Sequence, residues 1–156
     1  MIHLDNGGFN EIYVEWFDEF TKRAEPFNII GLSYYPFWHG TMKQLEFNMR
    51  DMVRRYGKKL VVAETSMGFT MEDYHDREGK PLDQLKGMAT KPEFVEKLDY
   101  PMTKEDQASF MKDLMELITD VPGGEGFYYW KPAWIPVLGC GWATEAALAA
   151  IRDFER

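Results

Sequence analysis

The sequence has one cysteine, Cys140, in 156 residues. That excludes an internal disulfide and any zinc site built from cysteine clusters. No apolar run approaches the roughly 18 residues that a membrane-spanning helix requires. No basic, apolar, small-residue leader is read at the start, so no secretory signal is expected from it. Basic residues are in deficit, with 18 Lys and Arg against 26 Asp and Glu and a formal charge of −8. With no Lys/Arg cluster, that balance argues against nucleic acid and anionic membrane as partners. Aromatic residues are plentiful instead: 11 Phe, 8 Tyr and 5 Trp in a chain that is 45% hydrophobic. This supplies a packed core and excludes disorder. The length suits one ordinary domain or one part of a larger one, and residues 1–156 are read as a single unit.

Strand-like and helix-like segments alternate. Ile2-His3-Leu4 is a short apolar run that stops at Asp5-Asn6-Gly7-Gly8. Glu11 to Ala24 carries Ile12, Trp16, Phe17 and Phe20 at helical spacing, and Trp16 is expected in the core or in helix–sheet packing. Asn28 to Tyr35 reads as a strand closed by Pro36. Thr41 to Tyr56 repeats Leu45, Met49, Met52, Val53 and Tyr56 on one helical face and stops at Gly57. Leu60 to Ala63 reads as a strand buried on both faces. Thr103 followed by Asp106 offers an N-cap for a helix carrying Phe110, Leu114, Leu117 and Ile118. Gly126 to Trp130 is a fourth strand, and Ala143 to Phe154 a fourth helix. Four consecutive β-then-α units predict a parallel sheet with flanking helices. Ser66 to Met102 interrupts the rhythm without periodicity; a loop this long in a compact domain is more often functional than filler.

The strand ends carry the chemistry. The first ends in Asp5, the second in Tyr34 and Tyr35, the third in Glu64, the fourth in Trp130 and Lys131. Ligands of parallel α/β proteins bind at that edge. A carboxylate after one strand is commonly a cap, but acids and flat rings on four successive strand ends suit a sugar site. The acids serve proton transfer or nucleophilic attack, and the rings stack on pyranose faces. An open flavodoxin-like sheet is a rival architecture, opposed by the lack of a glycine-rich phosphate loop after the first strand.

Four motifs, His3-Leu4-Asp5-Asn6-Gly7, Ile30 to Gly40 (IGLSYYPFWHG), Val61 to Ser66 (VVAETS) and Phe127 to Trp130 with Pro132 to Ile135, together resemble glycoside hydrolase family 53. The resemblance implies an arabinogalactan endo-β-1,4-galactanase fold, a (β/α)8 TIM barrel of retaining glycosidases, of which this chain is the C-terminal half, strands five to eight. It implies Glu64 as nucleophile, with Asp5, Tyr34, Tyr35, Trp38, His39, Trp130 and Trp134 as substrate-binding residues. Asp5 would hydrogen-bond sugar hydroxyls or orient Glu64. The tryptophans would be stacking platforms or packing residues, and His39 a substrate contact or a surface residue. The family's acid/base glutamate, in an Asn-Glu pair ending strand four, has no counterpart. Asn10-Glu11 spells that pair but opens a helix, where an acid favours the dipole. Lys131 replaces the family's glutamate after Trp130, and Met67 stands where a tyrosine is common.

By the same resemblance no cofactor is required, although calcium could be held by the loop containing Glu72-Asp73-Tyr74-His75-Asp76. The expected partners are β-1,4-galactan or its oligosaccharides and an N-terminal half barrel or a second copy of the chain. The expected location is extracellular or at the cell surface. The alternative function is a vestigial, non-catalytic galactan-binding unit. His3 reads as structural, and Cys140 has no catalytic pattern around it.

Overall fold

The computed structural model describes residues 1–23, 26–71, 79, 89 and 91–130. The expected helix Ala143 to Phe154, and Lys131, Trp134, Cys140 and Glu72 to Asp76, lie outside them. The chain divides into two compact units, Met1–Thr65 with Leu114–Trp130, and Ser66–Asp113 with Lys131–Arg156.

The first unit contains β1 (Ile2–Leu4), α1 (Asn10–Thr21), β2 (Ile29–Tyr34), α2 (Met42–Tyr56), β3 (Lys59–Thr65) and β4 (Gly124–Tyr129). The strands pair in parallel in the order β1-β2-β3-β4. That order excludes the flavodoxin-like alternative, because a doubly wound sheet reverses its order at a switch point. Sequential parallel strands with helices between them are the arrangement of a (β/α)8 barrel, here part of one.

Local chemistry explains the boundaries. Thr41 and Gln44 close a reciprocal capping box at the start of α2, with Gln44 N donating to Thr41 Oγ1 at 3.3 Å and Thr41 N to Gln44 Oε1 at 2.8 Å. Gly57 ends the helix at φ +60°, a left-handed conformation that glycine adopts without a Cβ penalty. Ile30, Leu32, Tyr34, Leu60 and Val62 point to the helix side and are buried together with Tyr13, Phe17, Leu45, Met49 and Met52.

Two expectations about faces are corrected. In α1 the buried residues are Tyr13 and Phe17, whereas Ile12 and Trp16 are exposed, at 48% and 38%. Tyr13 wins because its hydroxyl donates to the Leu4 carbonyl at 2.7 Å, tying the helix to the end of β1. Trp16 stacks instead on Phe20, ring centroids 4.6 Å apart. In β3, Leu60 and Val62 are buried, but Val61 and Ala63 are half-buried, so among the described residues only the helix-side face is fully covered.

In the second unit the described residues of the Ser66 to Met102 segment include a helical turn, α3 (Pro92–Val95), too short to register as periodicity. The helix α4 (Lys104–Asp120) begins there, capped by Thr103 Oγ1, which accepts from Asp106 N at 3.0 Å. The Gln107 amide donates to the Met67 carbonyl, and the Tyr100 hydroxyl donates to Asp113 at 2.7 Å. Met67 is fully buried.

Candidate functional site

The C-terminal ends of β1, β2 and β3 open into a cleft of about 340 Å³ lined by His3, Asp5, Ser33, Tyr35, Trp38, His39 and Glu64. Five of these residues were expected from the sequence.

Glu64 reaches the cleft through an irregularity in β3. Leu32 pairs with Val62 and the next residue, Ser33, pairs with Glu64, so Ala63 is an extra residue on β3. Strand alternation alone would place Glu64 on the helix side with Val62. A bulge re-aims a side chain in this way, and bulges concentrate beside active sites. Glu64 also lies inside β3 rather than after it, because the strand runs on to Thr65. The Tyr35 hydroxyl donates to Glu64 Oε2 at 3.2 Å. Burial first, then the Glu64 charge and that hydrogen bond, raise the Tyr35 hydroxyl well above the usual tyrosine range, so it stays protonated and donates.

His39 is buried, at 4% exposure, and its ring is surrounded by acceptors and donors. Nε2 faces Asp5 Oδ1 at 3.3 Å, while Nδ1 lies 3.2 Å from Tyr35 N and 3.0 Å from the Ser33 carbonyl. The contact to a carboxylate assigns the proton of the neutral ring to Nε2, which leaves Nδ1 to accept from Tyr35 N–H. Burial lowers the imidazole from its ordinary value, against the opposing pull of the Asp5 charge, the Ser33 carbonyl and the Glu64 charge. His39 is thus neither a surface histidine nor a free one. It links the end of β2 to Asp5.

The Asp5 loop is pinned from two sides. Gly7 N donates to the Ser33 carbonyl at 2.8 Å, and Asn48 Nδ2 of α2 donates to the Gly7 carbonyl at 2.7 Å. Gly8 packs on His39 so closely that a Cβ there would lie 2.0 Å from the His39 carbonyl oxygen. Trp38 is half-buried beside Tyr35, ring centroids 5.8 Å apart at 61°. It gives the cleft an aromatic wall.

Not every expected residue lines the cleft. Tyr34 is 1% exposed and its hydroxyl donates to the Gly40 carbonyl at 3.1 Å, because alternation along β2 sends it to the helix side. Trp130 is 43% exposed at the end of β4, where its backbone N–H donates to the Thr65 carbonyl at 2.8 Å; it is not among the residues lining the cleft. Conversely, His3 and Ser33 line the cleft and bond to each other, His3 Nε2 to Ser33 Oγ at 2.8 Å. A period-2 reading of β1 and β2 would have found both. Asn10 donates to Asn48 and Asp51 within the helix layer, and the Asn-Glu pair it begins stays off the strand ends. Among the described residues no group of three or more His, Cys, Asp or Glu is placed to hold a metal ion, and no helix is long and apolar enough to cross a membrane.

Comparison with known proteins supplies the lineage. The family model for glycosyl hydrolase family 53 matches residues 1–152. An uncharacterized protein in the bgaB 5' region of Niallia circulans is 42% identical over 138 residues, covering 87% of this chain and 35% of its own length. The endo-beta-1,4-galactanase of Bacillus subtilis (strain 168) is 35% identical over 143 residues, covering 81% of this chain and 31% of its own length. The solved Ignisphaera aggregans GH53 catalytic domain matches with a TM-score of 0.69 and 33% identity, over 92% of this chain and 38% of that one. The chain therefore spans about a third of the length of these curated relatives. A match along almost the whole chain, on a parallel α/β sheet in barrel order, settles the lineage: the chain belongs to glycosyl hydrolase family 53.

Proposed function

We propose that this chain carries the nucleophile side of a retaining glycosidase site for β-1,4-linked galactan, with Glu64 as the nucleophile. The observation that supports it most is the 3.2 Å contact from the Tyr35 hydroxyl to Glu64 Oε2, in a cleft shared with Asp5, Trp38 and His39. A carboxylate that attacks an anomeric carbon must be oriented, and a hydroxyl kept protonated orients it by donating to it. The half-buried Trp38 ring offers a flat apolar surface for a pyranose. The substrate class follows the Bacillus subtilis relative, whose name is endo-beta-1,4-galactanase. An extracellular or cell-surface location suits a polymer of that kind.

Retaining hydrolysis needs a second carboxyl, an acid/base about 5–5.5 Å from the nucleophile. Among the described residues Glu64 is the one glutamate lining the cleft, and the other carboxylate there, Asp5, faces His39. Turnover of galactan therefore needs an acid/base from outside these residues, such as an N-terminal half barrel. This favours a second reading for the chain by itself, in which it binds galactan without hydrolysing it.

An activated substrate separates the two. The phenolate of 2,4-dinitrophenyl β-galactobioside leaves without being protonated, so no acid is needed. Glu64 attacks C1, the C1–O bond to the aryl group breaks, and the phenolate carries off the electron pair. The expected result is one dinitrophenolate released per chain and a galactobiosyl ester on the Glu64 peptide by mass spectrometry. In Glu64→Gln the ester should be lost by several orders of magnitude in rate. Oligosaccharide binding with no ester would carry the binding-only reading, and equal labelling of Glu64→Gln would remove Glu64 from the chemistry.

A further inference from the structure

We propose that Asn48, a residue of α2 outside the cleft, is a positioning residue that holds Asp5 against His39. The Asp5 side chain is 67% exposed, so packing does little to fix it, and the contact that orients its carboxylate is the one to His39 Nε2 at 3.3 Å. What fixes its backbone is the turn that follows. Asn6 adopts φ +62°, a left-handed conformation uncommon for a non-glycine residue, and its carbonyl accepts from Phe9 N at 3.0 Å. One residue on, Gly7 is held at both ends, its N–H by the Ser33 carbonyl and its carbonyl by Asn48 Nδ2 at 2.7 Å.

Asn48 is itself immobilised. It is fully buried, and its Oδ1 accepts from Asn10 Nδ2 at 3.0 Å, the same nitrogen that reaches Asp51 Oδ2 at 3.0 Å. These partners fix which way the amide points, so Nδ2 faces the loop. Truncation would leave the Gly7 carbonyl without its donor and free the turn on the α2 side. Aspartate at this position could not donate and would add a like charge beside Asp51.

A part for the Asp5–His39 contact in sugar binding rests on the functional reading above, whereas the contact itself and its support by Asn48 do not. The groups facing His39 are Asp5 from the β1 end, Glu64 from β3 and the Tyr35 ring from the β2 end, with His3 lining the same cleft. The chain has three histidines, His3, His39 and His75, so NMR titration resolves His39 once His3→Gln and His75→Gln assign the others. The Asp5 charge favours the imidazolium, so loss of Asp5 must lower the His39 pKa. In Asn48→Ala the pKa should fall towards that of Asp5→Asn, and adding Asn48→Ala to Asp5→Asn should lower it no further. Met52→Ala, one turn along in α2 and equally buried, should leave it unmoved. An unchanged His39 titration in folded Asn48→Ala, or an equal fall in Met52→Ala, would overturn the proposal. If Asn48→Ala does not fold, Asn48→Ser gives the same reading. Failure of the wild-type chain to bind galacto-oligosaccharide would sink the functional reading while leaving the His39 result to stand.

Discussion

At Asp51, burial and hydrogen bonding pull one carboxyl in opposite directions. Burial opposes ionisation, but hydrogen bonds from Arg55 at 2.6 Å, from Arg54 and from Asn10 at 3.0 Å outweigh it and hold the carboxyl at about 2. A folded-state value below the unfolded one stabilises the protein above the unfolded pKa of 3.8, and that stability is lost as pH falls through about 2. The contribution is on the order of 1–2 kcal/mol, since exposed Arg54 and Arg55 are screened by solvent. Asp51→Asn should therefore melt earlier than wild type at pH 7, with the gap closing as pH is lowered from 4 towards 2. A gap independent of pH would mean that the ionised form contributes nothing.

Among the elements, the contact between the β1–α1 and β2–α2 connections bears most directly on the cleft. Gly8 lies against backbone, the His39 carbonyl, rather than against a flexible side-chain end. A methyl group there forces the two connections apart, costing roughly 1–3 kcal/mol as overpacking does. Gly8→Ala is expected to lower the melting temperature and slow esterification of Glu64 together, because Asp5 and His39 sit on the two connections being separated. Slowed labelling at wild-type stability would point to a different cause. The bulge at Ala63 belongs to the same scale: one extra residue decides whether the Glu64 carboxylate faces helices or ligand.

For the whole molecule, the sheet edges matter. Among the described residues β1 and β4 are the outer strands, and neither Ile2–Leu4 nor Gly124–Tyr129 contains a proline or lysine to discourage pairing. Tyr128 on β4 is 66% exposed and Met1 before β1 is 61% exposed. The chain alone is expected to self-associate, through a second copy or as larger aggregates, and to be relieved of this by an N-terminal half barrel. Sedimentation at micromolar concentration measures it. A stable, monodisperse monomer would show that both edges are already covered.

Much of the fold was legible because local chemistry settles it. Helical spacing in α2, its glycine stop at Gly57, the Thr103 cap of α4 and the short apolar runs of β2 and β3 each act over a few residues. The strand-end acids Asp5 and Glu64 were legible for the same reason. What the sequence left open turned on which of two faces a residue takes. Ile12 and Trp16 share one stripe of α1 and Tyr13 and Phe17 another, and the hydrogen bond from Tyr13 to β1 chose between them. Tyr34 and Tyr35 are neighbours with the same chemistry, and alternation sends one to the helix side and points the other at Glu64. Asn48 carried no sequence signal at all, since an asparagine within a helix reads as solvated. Its partner Gly7 lies 41 residues away, and a hydrogen bond over that separation exists only once the sheet and α2 have packed.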